Sequence, residues 1–390
     1  MKTAINNYVK FFVIIFFLEI LSFGCIELID KIARIGFYPR NLLIEYQIDS
    51  IRKVIDDSNN YHKFDSLLGW SIKSNASTID KASNEKGARG NRNYSTIKEK
   101  EKNRIESYGD SYTFCDEVLD NETWQYYIEK RDSTYEVINW GVGAYGLDQA
   151  YLRYQKTKSY YNSDIVLIGY MTENIARNVN TFRPFYGPSS GTALTKPRYV
   201  IRNDSLLLIP NFMNTSEQYN SLLINTELTL QVLGEHDYFY NKKYNSTKLL
   251  DNFSIVKLYK IFVHQIKLRL YPDVIIKNGW YNAESEAYRV TIQLFDEFYN
   301  DVKNSGQRPI IIVFPHYKDF RRHINNKKKQ YQPLIDYFDE NKYEYIDLIH
   351  ALEGYKEKEL FSGHYSPKAN KLIAEIIYLY INNNATITSG

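Results

Sequence analysis

The chain has 390 residues, 44% of them hydrophobic, which is enough for one large domain or two ordinary ones. Its 49 Lys and Arg against 46 Asp and Glu leave a formal net charge of +3, and the basic residues are scattered among acids, so nothing reads as a nucleic-acid footprint. Two cysteines, Cys25 in an apolar run and Cys115 after a turn, imply no disulfide framework. No Cys/His cluster points to zinc, so no metal or cofactor is expected.

Residues 1–30 read as a signal anchor. Lys2 and Lys10 flank the start of an apolar run from Phe11 to Ile29, near the ~20 residues that span a bilayer. Glu19 and Glu27 interrupt it. One acid at mid-membrane costs about 3 kcal/mol, which many large apolar side chains offset. A cleaved signal peptide is the alternative. The anchor reading puts the remaining chain on the far side of the membrane, periplasmic or extracellular.

Residues 31–102 form a preface and linker, with a turn and short strand near Asp65–Trp70 and a polar stretch over 74–102. From 103 to 384 strands alternate with helices. Arg104–Tyr108 reads as a strand, Thr123–Lys130 as a helix and Tyr135–Trp140 as a second strand. Gly146–Thr157 follows as a helix. Asp164–Tyr170 has no polar alternation, as suits a strand covered on both faces. A long departure occupies about 178–282. It opens with a hairpin over Pro197–Pro210, with Asn203-Asp204 at the turn. Alternation then resumes: helix Glu284–Lys303, strand Pro309–Phe314, a polar helix ending near Asn341, strand Tyr343–Leu348 and closing helix Pro367–Asn382. Lys327-Lys328-Lys329 reads as a solvated helix face. The pattern predicts a three-layer α/β/α domain on a flavodoxin-like five-stranded parallel sheet, with a long insertion after the third strand.

Active sites of such sheets gather where the strands end. The first strand ends in Gly109-Asp110-Ser111, where a helix starts. A serine on a strand-to-helix turn is exposed, with its N–H at a helix N-terminus. The second strand runs into Gly141-Val142-Gly143-Ala144, the third into Glu173-Asn174, and the fifth leads to Gly363-His364. Asp110 is expected to brace the turn, and His316 either touches substrate or lies on the surface. Arg177, Arg183 and Arg198 are expected to be solvated.

This ordered set resembles the SGNH (GDSL-type) hydrolase family over residues 104–382, the insertion excepted. The resemblance implies a serine ester hydrolase or O-acyltransferase. Ser111 would be nucleophile and His364 general base. Ser111, Ala144 and Asn174 would form the oxyanion hole, with no metal. The family's glycine falls at Ala144, which still supplies an N–H provided its backbone does not need positive φ. The family's Asp, three residues before the histidine, is replaced by Phe361. A backbone carbonyl, Asp347 or Glu359 would have to orient His364 instead. The expected substrate is an acylated, chiefly O-acetylated, surface glycan, by analogy with membrane-anchored family members that act on polysaccharides. A catalytically silent binding module, or a lipase or thioesterase, is the alternative, and the oligomeric state is left open.

Overall fold

Five parallel strands position everything else. The computed structural model describes residues 2–33, 45–58, 61–186, 193–240, 249–270 and 273–383. Parts of the expected preface (34–44, 59–60) and insertion (187–192, 241–248, 271–272), and residue 384, fall outside them.

The strands of three or more residues, in chain order, are β1 (His62–Asp65), β2 (Gly69–Ile72), β3 (Asn103–Tyr108), β4 (Tyr135–Asn139), β5 (Ile165–Met171), β6 (Arg198–Arg202), β7 (Ser205–Ile209), β8 (Arg308–Phe314) and β9 (Tyr345–Asp347). The main helices are α1 (Lys2–Ala33), α2 (Glu45–Ile55), α3 (Ser111–Phe114), α4 (Trp124–Arg131), α5 (Leu147–Thr157), α6 (Ser254–Leu270), α7 (Glu286–Asn304), α8 (Tyr317–Ile324), α9 (Gln332–Glu340) and α10 (Pro367–Asn383).

The central sheet runs β9-β8-β5-β3-β4, all pairs parallel. This is the doubly wound, flavodoxin-like order, whose switch point lies between the first and third strands of the sheet. Alternate strand residues enter two cores, because successive side chains point to opposite faces. Ile138, Ile168 and Ile311 pack with Ala150 of α5, Leu294 of α7 and Leu334 of α9. Val137, Leu167 and Ile312 pack with Ile128 of α4 and Ile373 of α10. The three-layer α/β/α class is therefore the one read from the sequence.

The polar stretch 74–102 is loop in form but does not trail. Ala88 and Asn84 are buried, and the buried Arg89 crosses to the end of α3. Its guanidinium donates to the Phe114, Cys115 and Val118 carbonyls at 2.6, 2.5 and 2.5 Å and to Asp120 Oδ1 at 2.9 Å. Carbonyls at a helix end have no partner within the helix; here an arginine supplies it.

In the departure after β5, β6 and β7 form the expected hairpin. Asn203 and Asp204 both have positive φ, as a type I′ turn requires. Two expectations change. Lys327–Lys329 lies in the loop between α8 and α9, not on a helix, and Lys329 Nζ is held 3.0 Å from Asp347 Oδ2. Arg177 and Arg198 are buried rather than solvated. Arg198 ties the Val179 and His236 carbonyls to Glu286.

α1 is one continuous helix. Its stretch Asn6–Ile29 is long and apolar enough to cross a membrane, properties a signal sequence near the N-terminus shares.

Candidate active site

The turn after β3 is built for Ser111. Asp110 is the N-cap of α3: its Oδ1 accepts the Tyr112 N–H at 2.9 Å. Thr113, one turn on, lies so close to the sheet that a Cβ on Gly109 or Gly169 would collide with its hydroxyl. Those two glycines let α3 press down between β3 and β5, with Ser111 at its first position. Burial pushes the Asp110 carboxyl above its ordinary range, against the pull of Arg177 3.5 Å away, the Tyr112 N–H and Asn174.

The loop after β4 is sewn to this turn. The Trp140 N–H donates to the Ser107 carbonyl at 2.8 Å and the Val142 N–H to the Gly109 carbonyl at 3.0 Å. Trp70 Nε1 donates to the Gly143 carbonyl at 3.0 Å. A trans peptide points its C=O and N–H opposite ways, so this bond from β2 directs the Ala144 N–H away from Trp70. Ala144 has φ +68. The backbone here does need the left-handed region, so the condition attached to an alanine at this position fails. The cost is about 1–2 kcal/mol for a residue with a Cβ.

Ser111, Ala144 and His364 line one cavity of about 740 Å³, together with Trp70, Lys81 and Arg177. α2 contributes a wall through Asp49, Lys53 and Val54. No hydrogen bond joins Ser111 to His364 in this conformation. Such bonds often tighten only when substrate is bound.

His364 is held from behind by a residue the motif spacing did not flag. Glu117 Oε2 accepts the His364 main-chain N–H at 3.0 Å, and Oε1 lies 3.2 Å from Nδ1. The ring N–H is not aligned with the carboxylate closely enough for a hydrogen bond; Nδ1 is buried without one. The contact is therefore a close approach of carboxylate to imidazole without a hydrogen bond. The imidazole also rests against Tyr112, ring centroids 5.3 Å apart.

Local backbone makes this approach feasible. Glu117 has φ +70, and Gly363 has φ +88. An alanine at 363 would place its Cβ 2.5 Å from Glu117 Oε2. A glycine directly before the histidine was the one sequence signal that something must come close there. The candidates named from sequence are engaged elsewhere. Asp347 accepts from Tyr331 and Lys329, each at 3.0 Å. Glu359 accepts from Lys368 at 2.7 Å and from the Lys356 N–H at 2.9 Å.

Asn174 does not line the cavity. It is buried, and its Nδ2 donates to Asp110 Oδ2 at 2.9 Å. His316 caps α8 and faces a separate cavity with Thr172 and Asp319. Burial, with Lys318 and Arg177 nearby, lowers it to about 4. Burial pushes the Cys115 thiol up to about 12, which excludes it as a rival nucleophile at neutral pH. Among the described residues, His323, His350 and Glu353 have the donor types for a metal ion. None of the three lines the Ser111 cavity.

No protein-family model matches the chain, and no curated protein does. Solved structures similar to it include a lipolytic-family G-D-S-L protein from Desulfitobacterium hafniense DCB-2. It is 12% identical, with 70% of this chain and 97% of that one covered and a TM-score of 0.34. A member of the lipolytic protein G-D-S-L family from Veillonella parvula DSM 2008 is also 12% identical, covering 72% and 98%, with a TM-score of 0.33. An alpha/beta hydrolase enzyme from the metagenome of Lake Arreo is 10% identical, covering 70% and 93%, with a TM-score of 0.34.

Proposed function

We propose that the chain is an exported serine ester hydrolase or O-acyltransferase of the SGNH type, anchored by α1 and acting on O-acyl esters of a glycan. The observation that carries this reading is a shared cavity: Ser111 and His364 both line it, with the Glu117 carboxylate behind the imidazole.

In this reading the Ser111 hydroxyl attacks the ester carbonyl while His364 Nε2 takes its proton. The tetrahedral oxyanion is met by the N–H groups of Ser111 and Ala144. Asn174, outside the cavity and with its amide given to Asp110, braces the serine turn instead of meeting the oxyanion. Losing one oxyanion donor typically costs about 10²–10³ in rate. His364 then returns the proton to the departing alkoxide, leaving an acyl-serine. Water as acceptor makes an esterase; a sugar hydroxyl makes a transferase. Glu117 fixes the ring and balances the imidazolium, the role the family gives to the missing Asp.

The cavity lining supports a polar substrate. Lys63, Lys81, Asp49, Asp57 and Asp116 stand beside Trp70 and Phe64, a mixture that suits a hydroxylated sugar better than a long acyl chain. The test is labelling by a fluorophosphonate probe and turnover of p-nitrophenyl acetate. Both should be present in the parent and lost in Ser111→Ala. Equal signals in the two proteins would leave the silent binding module, the reading favoured by Phe361 standing where the family has its Asp. Intact-mass spectrometry with an acetyl donor separates the two enzymes: a transferase discharges the Ser111 adduct only when oligosaccharide is added.

A further inference from the structure

α6 is the odd element of the insertion. Its extensive packing is with α1 and with the turn that precedes it, not with the sheet domain. Ile255, Tyr259, Phe262, Ile266 and Leu270 are all exposed, Tyr259 by 66%, Phe262 by 63% and Leu270 by 77%. At 100° per residue these five fall within an arc of about 80°. Leu249, Leu250 and Phe253, just before the helix, are exposed as well. So continuous an apolar face in water marks an interaction surface.

Its place against α1 identifies the partner. Glu19 accepts the main-chain N–H groups of Ser254 and Ile255, the latter at 3.1 Å, and so closes the N-terminus of α6. Among the described side chains of α1, the covered positions are Glu19, Ser22, Cys25, Ile26 and Ile29, while Tyr8 to Leu18 are exposed. α6 therefore begins beside the middle of the apolar stretch Asn6–Ile29 and runs along its second half. That half is about 15 Å long, half the hydrocarbon thickness of a bilayer. Two of the charges at this level have partners: Glu19 holds two N–H groups at the start of α6, and Lys260 pairs with Asp251.

We propose that α6 is a second membrane element, dipping into the outer leaflet beside α1 with its Ile255–Leu270 stripe against lipid acyl chains. The proposal rests on α1 being retained as the anchor. The insertion then has a mechanical role, since α6 and α1 together would hold the sheet domain at the membrane surface by two elements instead of one.

The test uses the full chain in phospholipid nanodiscs, with the photocrosslinker p-benzoylphenylalanine replacing Phe16, Phe262 or Ile224 in turn. Ile224, 86% exposed on the helix Tyr219–Ile224, is the reference for water. The expected result is a phospholipid mass adduct from positions 16 and 262 and none from 224. An adduct at 16 but none at 262 overturns the proposal and leaves the anchor standing. A crosslink from 262 to polypeptide also overturns it, since a protein then covers the stripe. No adduct at either 16 or 262 removes the anchor reading, and the proposal with it.

Discussion

At the scale of single residues, the site depends on two positions where the backbone is held in a costly state. Glu117 and Ala144 each sit in the left-handed region, at a cost of order 1–3 kcal/mol. Glu117→Gln keeps a group able to accept the His364 N–H but removes the charge. We expect kcat/KM to fall by about 10- to 10³-fold with little change in melting temperature. The loss should be smaller than the ~10⁴ seen when a buried orienting Asp is neutralised, because the Glu117 side chain is 48% exposed. Glu359→Gln, removed from His364, should stay near parental rate in the same p-nitrophenyl acetate assay. At 144 the expectation is opposite in sign. Glycine relieves about 1–2 kcal/mol of left-handed cost and adds about 0.5–1 kcal/mol of chain entropy. Ala144→Gly should therefore be neutral to slightly stabilising in urea denaturation, whereas Ala144→Val should lose at least 1 kcal/mol.

At the scale of elements, the insertion is bolted to the sheet domain by charge. Asp148, at the start of α5, and Lys196, just before β6, are both fully buried and ion-paired. Burial drives the Asp148 carboxyl up and the Lys196 ammonium down, each toward its neutral form, while the pairing opposes both shifts. Asp148 Oδ1 also accepts the Gln149 N–H at 2.8 Å, and Lys196 Nζ donates to the Pro197 carbonyl at 3.0 Å. Lys196→Met strands a carboxylate in the core and should cost about 3–5 kcal/mol. Adding Asp148→Asn should restore much of that loss. A denaturant midpoint that fails to move in the single variant would mean the pair does not hold the insertion.

For the molecule as a whole, the histidines set a pH response. His316 in the folded protein takes a proton only near pH 4, against an ordinary value of 6.5. Between those values the unfolded chain binds more protons, so stability falls as pH drops through the window. His62, lowered by burial and by Lys81, acts in the same direction. His316→Asn keeps a capping side chain for α8 and removes this contribution. The stability of the parent relative to that variant should therefore decline from pH 7 to pH 4. A constant difference across the window would show that His316 is not buried neutral.

The sheet was legible because its strands are short apolar runs separated by helical periods, and both signals are local. The strands themselves, the hairpin turn at Asn203-Asp204 and the serine turn all follow from patterns within about a dozen residues. The carboxylate behind His364 was not legible. Glu117 and His364 are distant in sequence, and their meeting requires the sheet to bring the end of the first strand beside the loop before α10. Only tertiary structure could also reveal that Arg89 serves α3, that Lys196 answers Asp148, and that Glu19 caps α6. In each case a charged group in a low-dielectric place needs a partner, and sequence states the need without naming the residue that meets it. Local free energies choose the elements; long-range electrostatics and packing choose the company each side chain keeps.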